Sequence, residues 1–188
     1  AKKTPAAKKT PAAKKTPASK KTPAAKKTPA AHNPAAAALD ELAFFLRNGE
    51  HPGDALPEII ARLEEHADPS LVGAMFGLLD DDDTSGLLWP VFYVLEDQGE
   101  AYLQALVAQI GALQERAPVW AETALLRILN TRGEPEDCTA ELVAHALAAP
   151  ATTRRRLVAA LDTLRDNAGD ELTADQTASI AALRDALT

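Results

Sequence analysis

A proline stands at every sixth position from Pro5 to Pro29, inside a Lys-Lys-Thr-Pro-Ala-Ala unit that occurs five times with one alanine replaced by Ser19. Proline lacks a backbone N–H and clashes with the preceding helical turn, so this repeat cannot form a continuous helix. Alanine is the only other apolar residue, and its burial cannot offset the entropy lost on folding. We therefore predict that residues 1–34 form a disordered tail and residues 35–188 a separate folded domain.

Charge divides the chain at the same boundary. All ten lysines lie in the tail, which has no acidic residue and carries about +10. From residue 34 onward there are ten arginines, no lysine and 27 acidic residues, so the domain carries about −17. The two parts therefore favour different partners.

The tail is a polycation, which associates with nucleic acid through counterion release and without reading base sequence. The repeat resembles the Lys-Ala-Pro tails of linker histones and of bacterial histone-like proteins, which implies nonspecific contact with DNA or RNA. A solubilising or tethering linker and a misassigned start are the alternatives. The residues for nucleic-acid contact are Lys2, Lys3, Lys8, Lys9, Lys14, Lys15, Lys20, Lys21, Lys26 and Lys27.

The domain shows apolar residues at helical spacing between Pro, Gly and Asx punctuation, and no segment alternates with period two. We predict an all-α fold: an antiparallel helix-hairpin array, either HEAT-like or an irregular α-solenoid, because no clean repeat is present. Asp54 is the expected cap of the second helix. The predicted helices span 35–47, 54–66, 68–80, 87–97, 100–115, 118–130, 135–148, 151–168 and 174–187.

Several function classes find no support in the sequence. Cys138 is the only cysteine, so no internal disulfide can form and a reducing compartment fits. No apolar run approaches the roughly 18 residues that span a bilayer, and we expect a soluble, cytoplasmic protein without membrane contact. No phosphate loop, nucleophile elbow or metal-ligand spacing occurs. We expect no enzyme activity, no small-molecule substrate, no cofactor and no metal.

The densest acidic cluster is the loop from Asp80 to Gly86. From Asp81 it matches the first positions of a calcium loop, but Phe92 stands where the bidentate glutamate is required. We interpret it as a solvated loop that is available for protein contact.

Two segments are rich in aromatic residues, and each places a tryptophan near a helix start. Trp89 and Trp120 are either core anchors or interface anchors, since tryptophan is common in both. The segments are Trp89-Pro90-Val91-Phe92-Tyr93-Val94-Leu95-Glu96-Asp97 and Ala117-Pro118-Val119-Trp120-Ala121-Glu122-Thr123-Ala124-Leu125-Leu126-Arg127-Ile128-Leu129-Asn130.

Together these motifs resemble the small all-helical immunity proteins of bacterial polymorphic-toxin systems, of the immunity protein 30 type, over about residues 39–148. The resemblance implies a cytosolic protein that binds and neutralises one cognate toxin domain, without catalytic residues. An acidic body complements a basic nuclease-type toxin and blocks its cleft sterically. The alternative function is a nucleoid-associated protein whose tail binds DNA while the body binds another protein. The predicted partner-binding residues are Asp81, Asp82, Asp83, Trp89, Glu96, Asp97, Trp120, Glu134, Glu136 and Asp137.

Overall fold

The computed structural model describes residues 33–82 and 86–188, and the predicted all-α class is confirmed: no strand occurs in these two ranges. Two short 3-10 turns, Gly53–Ala55 and Gly169–Glu171, precede α2 and α9. The predicted tail lies outside the described residues, except Asn33 and Pro34. The α-helices are α1 Pro34–Asn48, α2 Leu56–His66, α3 Val72–Leu78, α4 Leu88–Glu96, α5 Glu100–Arg116, α6 Pro118–Asn130, α7 Thr139–Ala148, α8 Ala151–Ala168 and α9 Ala174–Leu187.

Local sequence signals define the ends of α1. The Asn33 side chain accepts a hydrogen bond from the Ala35 N–H, at 2.9 Å, and Pro34 occupies the first turn, where its missing N–H costs nothing. At the other end Gly49 has φ of 63° and donates its N–H to the Leu46 carbonyl. Helix α1 is therefore one residue longer at each end than predicted.

Two predicted helices begin later than the sequence indicated. The carboxylate of Asp68 accepts hydrogen bonds from both the N–H and the hydroxyl of Ser70, which holds a turn and delays α3 to Val72. Asp137 does the same with Thr139, so α7 begins at Thr139 and residues 135–138 are loop.

The expected cap at Asp54 is wrong. Asp54 lies in the 3-10 turn Gly53–Ala55, and α2 begins at Leu56 without a side-chain cap. The turn is held instead by His51, whose Nδ1 accepts a hydrogen bond from the Gly53 N–H at 2.9 Å.

Helix α5 lies at the centre of the packing, in contact with α3, α6, α7 and α8. Leu106 and Ile110 on α5 are fully buried. At Gly111 of α5, the side chain of Arg156 from α8 occupies the space that a Cβ would need.

Helices that are separated by one helix along the chain contact each other, as α5 does α7 and α6 does α8, and such contacts are typical of stacked helix pairs. Contacts of α5 with α8 and of α6 with α9 skip two helices, which a regular two-helix repeat does not require. The described residues thus form an array of packed helices, and both the HEAT-like and the irregular arrangement stay predictions. None of the described helices is long and apolar enough to cross a membrane.

Candidate partner-binding surface

The acidic loop is attached to the start of α6 through Asp81. Its Oδ2 accepts the Val119 N–H at 2.9 Å, and its Oδ1 accepts the Trp120 N–H at 3.3 Å. These are N–H groups of the first turn of a helix that has no cap of its own, since Ala117 stands at that position. Asp81 therefore caps α6 from a distant part of the chain, with its charge at the positive end of the helix dipole.

Further hydrogen bonds fix the two residues before Asp81. Trp120 donates its indole N–H to the Asp80 carbonyl at 3.1 Å, and Arg116 donates its Nε to the Leu79 carbonyl at 3.2 Å. Asp82 is exposed, and its N–H is bound by the Asp80 carboxylate at 3.0 Å. Asp83 lies outside the described residues.

Near this loop are three exposed large apolar residues, and we call them the aromatic patch: Trp89 and Tyr93 of α4 and Val119 of α6. Their side chains are 42%, 50% and 62% exposed. The Trp89 ring centroid is 4.9 Å from that of Trp120 and 6.1 Å from that of Tyr93. Trp120 is only 6% exposed, so it lies in the core as the support of Trp89. Trp120 is thus a core residue, whereas a role of the exposed Trp89 as an interface anchor stays a prediction.

Arg127 of α6 contacts the aromatic patch at Tyr93. Its guanidinium lies 5.5 Å from the Tyr93 ring centroid and pairs with the carboxylate of Glu96. The hydrogen bond with Glu96 is the main cause that raises the pKa of Arg127. Glu96 is therefore fixed by an ion pair and keeps a partly exposed side chain.

A cavity of about 420 Å³ opens next to this ion pair, and we call it the Tyr102 cavity. Tyr102 is 4% exposed, and within residues 33–82 and 86–188 no group forms a hydrogen bond with its hydroxyl. Burial, and secondly the charge of Glu96, raise the pKa of Tyr102 far above its usual value, so the hydroxyl stays protonated. The cavity is lined by Glu96, Gly99, Tyr102, Leu103, Arg127, Ile128, Thr131, Glu136 and Cys138.

The remaining predicted acidic residues differ in their surroundings. Asp97 is exposed just after α4. Glu134 lines a separate cavity between the end of α6 and α9. Asp137 is committed to the fold, because it accepts hydrogen bonds from Thr139 and from the Gly133 N–H, and these bonds lower its pKa.

A continuous series of contacts therefore joins several predicted residues. It runs from Asp81 through Trp120 and Trp89 to Tyr93, and from there through Arg127 to Glu96. Glu136 lines the same cavity as that ion pair. Four residues of this surface are absent from the predicted partner-binding set: Tyr93, Val119, Arg127 and Tyr102. Tyr93, Val119 and Arg127 lie inside the two aromatic segments, so only Tyr102 carried no sequence signal.

Within residues 33–82 and 86–188, no three His, Cys, Asp or Glu side chains are grouped so that they could hold a metal ion. Part of the loop that resembles a calcium site lies at residues 83–85, outside those ranges. Phe92, at the position of the missing glutamate, is fully buried in the core.

Comparison with known families gives one match. The family model described as immunity protein 30 matches residues 45–137. The resemblance inferred from the aromatic segments is thereby confirmed, over a somewhat shorter range than predicted. Every residue of the aromatic patch, and every lining residue of the Tyr102 cavity except Cys138, lies within the match. Neither a curated protein nor a solved structure matches the chain.

Proposed function

We propose that this chain, which carries the immunity protein 30 pattern over residues 45–137, binds and sterically neutralises a cognate bacterial toxin domain in the cytoplasm. The family match supports an immunity protein of a polymorphic-toxin system. The finer proposal is that the aromatic patch and the carboxylates around it form the toxin-binding surface, and that the toxin is a basic, nuclease-type effector.

The main support for this toxin-binding surface is that the aromatic patch is about half exposed. Large apolar side chains that remain exposed together mark interaction sites more often than scattered single ones do. Trp89 rests on Trp120 at 4.9 Å, so its ring is already held before a partner arrives. A rigid aromatic side chain loses little entropy on binding, which makes it an effective anchor.

Charge supports a basic partner. Asp82 and Asp97 are exposed, one on the acidic loop and one at the end of α4, which also carries two residues of the aromatic patch. The domain as a whole carries about −17, which speeds encounter with a cationic surface. A toxin that cleaves nucleic acid presents such a surface at its substrate cleft, and a protein docked there excludes the substrate.

Growth rescue tests the proposed function directly. The full chain is co-expressed with the toxin domain encoded beside its gene, and growth and 1:1 complex formation are measured. We expect rescue that persists when residues 1–31 are deleted, because Asn33 and the compact unit from His32 onward are retained. Failure of the full chain to protect against any neighbouring toxin would refute the proposal.

Paired aromatic variants test the surface. Trp89→Ala should weaken toxin binding by about 30-fold or more, the range of interface hot spots. Phe44→Ala is the matched control, because Phe44 is 51% exposed on α1, which does not carry the patch. Equal effects of the two substitutions would remove the aromatic patch from the proposal.

Charge reversal tests the electrostatic part. Asp82→Lys with Asp97→Lys should slow association most strongly at low salt. Asp170→Lys with Glu171→Lys changes the net charge equally in the turn before α9 and should slow it less. Equal slowing would mean that overall charge, and not this surface, steers the toxin.

A second candidate function follows from the tail. Ten lysines within 27 residues favour nonspecific nucleic-acid contact, as in a nucleoid-associated protein whose body recruits another protein. A gel shift that disappears on deletion of residues 1–31 and in moderate salt would support this function. Retention of the shift after deletion would exclude the tail as its cause.

A further inference from the structure

We propose that the Tyr102 cavity is a socket for a lysine or arginine side chain of the partner protein. The cationic head would lie between Glu96, Glu136 and the hydroxyl of Tyr102. The inference rests on the proposed function, since it names the chemistry of the group that the partner inserts beside the aromatic patch.

The first support is the buried hydroxyl of Tyr102. The ring is held by stacking on Phe76, at 5.7 Å between centroids, and by an edge contact with Phe92 at 6.3 Å. The hydroxyl is therefore fixed in position, yet no described residue pairs with it. A buried polar group without a partner is costly and rare in native proteins, and a bound donor would satisfy it.

The hydroxyl belongs to one of the residues that line the cavity. Its titration is affected by the charges of Glu96 and Arg127 and by Cys138, and all three residues line the cavity. Because the hydroxyl stays protonated, its oxygen remains an acceptor for the N–H groups of an incoming cation.

The charge balance of the lining favours a cation. Glu96 and Glu136 supply two carboxylates, whereas Arg127 supplies a single guanidinium. That guanidinium is already occupied by Glu96 and by the face of Tyr93. An incoming anion would meet a surplus of negative charge, and an ammonium or guanidinium group would be attracted.

The shape fits the stem of such a side chain as well. Leu103 and Ile128 give the cavity a mostly apolar lining, against which the methylene groups of lysine or arginine can pack. The volume of about 420 Å³ accommodates either residue together with some water.

The test uses small probes on the full chain, followed by two-dimensional NMR. We expect n-butylammonium, which copies a lysine side chain, to shift the amide signals of Gly99, Thr131 and Cys138 in a saturable manner. Sodium butyrate and n-butanol, the anionic and neutral counterparts, should leave these signals in place.

Variants assign the effect to the cavity. Tyr102→Phe removes only the hydroxyl and should weaken n-butylammonium binding about tenfold, the loss expected for a hydrogen bond to a charged group. Glu136→Gln should weaken it as well. Glu134→Gln is the matched control, because Glu134 carries the same charge two residues away and does not line this cavity.

Three results would overturn the proposal: shifts caused by butyrate instead, no saturable shift with n-butylammonium, or binding unchanged in both Tyr102→Phe and Glu136→Gln. No toxin is needed, so failure here leaves the growth-rescue result standing. Conversely, probe binding without growth rescue would keep the cation site and remove the toxin as its partner.

Discussion

Replacing Asp81 by alanine should destabilise the domain, because it removes the cap of α6. The carboxylate accepts two first-turn N–H groups, from Val119 at 2.9 Å and Trp120 at 3.3 Å. Loss of a helix cap costs roughly 0.5–2 kcal/mol of unfolding free energy. The interaction of the charge with the helix dipole adds roughly 0.3–1 kcal/mol. We therefore expect Asp81→Ala to lower the free energy of unfolding by about 1–3 kcal/mol.

The adjacent residue provides the control. Asp82→Ala makes the same change in charge one position later, but the Asp82 side chain is exposed and takes no part in capping. Its effect should stay within about 0.5 kcal/mol, as for other surface substitutions. Asp81→Asn should fall between the two, because the amide keeps one acceptor oxygen and loses the charge.

Urea unfolding followed by circular dichroism measures these differences. The midpoint of Asp81→Ala should fall at an unchanged slope, which identifies a change in stability rather than in the unfolded state. The melting temperature should fall by about 2–12 °C, since 1 kcal/mol corresponds to about 2–4 °C at this size. Equal losses for Asp81→Ala and Asp82→Ala would show that net charge, and not the cap, is responsible.

Three further predictions concern the core and the loops. Trp120→Ala should cost about 3–5 kcal/mol of unfolding free energy in urea titrations, as expected for a buried large aromatic residue, and a loss below 1 kcal/mol would contradict its place in the core. Gly111→Ala should raise the free energy of unfolding by about 1 kcal/mol in a chain that already carries Arg156→Ala. In the parent chain the gain should be smaller, because the Arg156 side chain fills the space of the new Cβ. Equal effects of Gly111→Ala in the two backgrounds would contradict this contact. For Asp137, whose folded pKa is lowered from 3.8, the contribution to stability is present above that value and is lost as the pH falls through the folded pKa. Asp137→Asn should therefore lose less stability between pH 5 and pH 3 than the parent chain, and parallel urea midpoints across that range would refute this linkage.

Features encoded by neighbouring residues could be read from the sequence. The Asn48-Gly49 pair ends α1, and Pro118 opens α6 in the first turn, as expected for these residues. The late starts of α3 and α7 were missed because Asp68 and Asp137 each bond to a residue two positions ahead. Side-chain turns of this kind compete with helix formation, and apolar periodicity does not reveal them.

Features that depend on distant partners could not be read in this way. Asp81 and Val119 are separated by 38 residues, so nothing in the local sequence distinguishes the cap from its acidic neighbours. The unpaired hydroxyl of Tyr102 likewise arises only when the ring packs against Phe76 of α3 and Phe92 of α4. The aromatic segments, in contrast, carry their apolar content and their family pattern in the local sequence, so Trp89 could be predicted as a candidate anchor from the sequence alone.

The central place of α5 predicts that the segment carrying the family pattern does not fold on its own. A fragment ending at residue 137 would lack α7 and α8, leaving the side of α5 that faces them open to water. It would also lose the hydrogen bonds that tie α6 to later helices, from Asn167 to Glu122 and from Gln176 to Asn130 at 2.7 Å. A chain cut back to the matched portion should therefore be less stable than one that keeps α7, α8 and α9, so the proposed toxin-binding surface depends for its support on helices outside the family pattern.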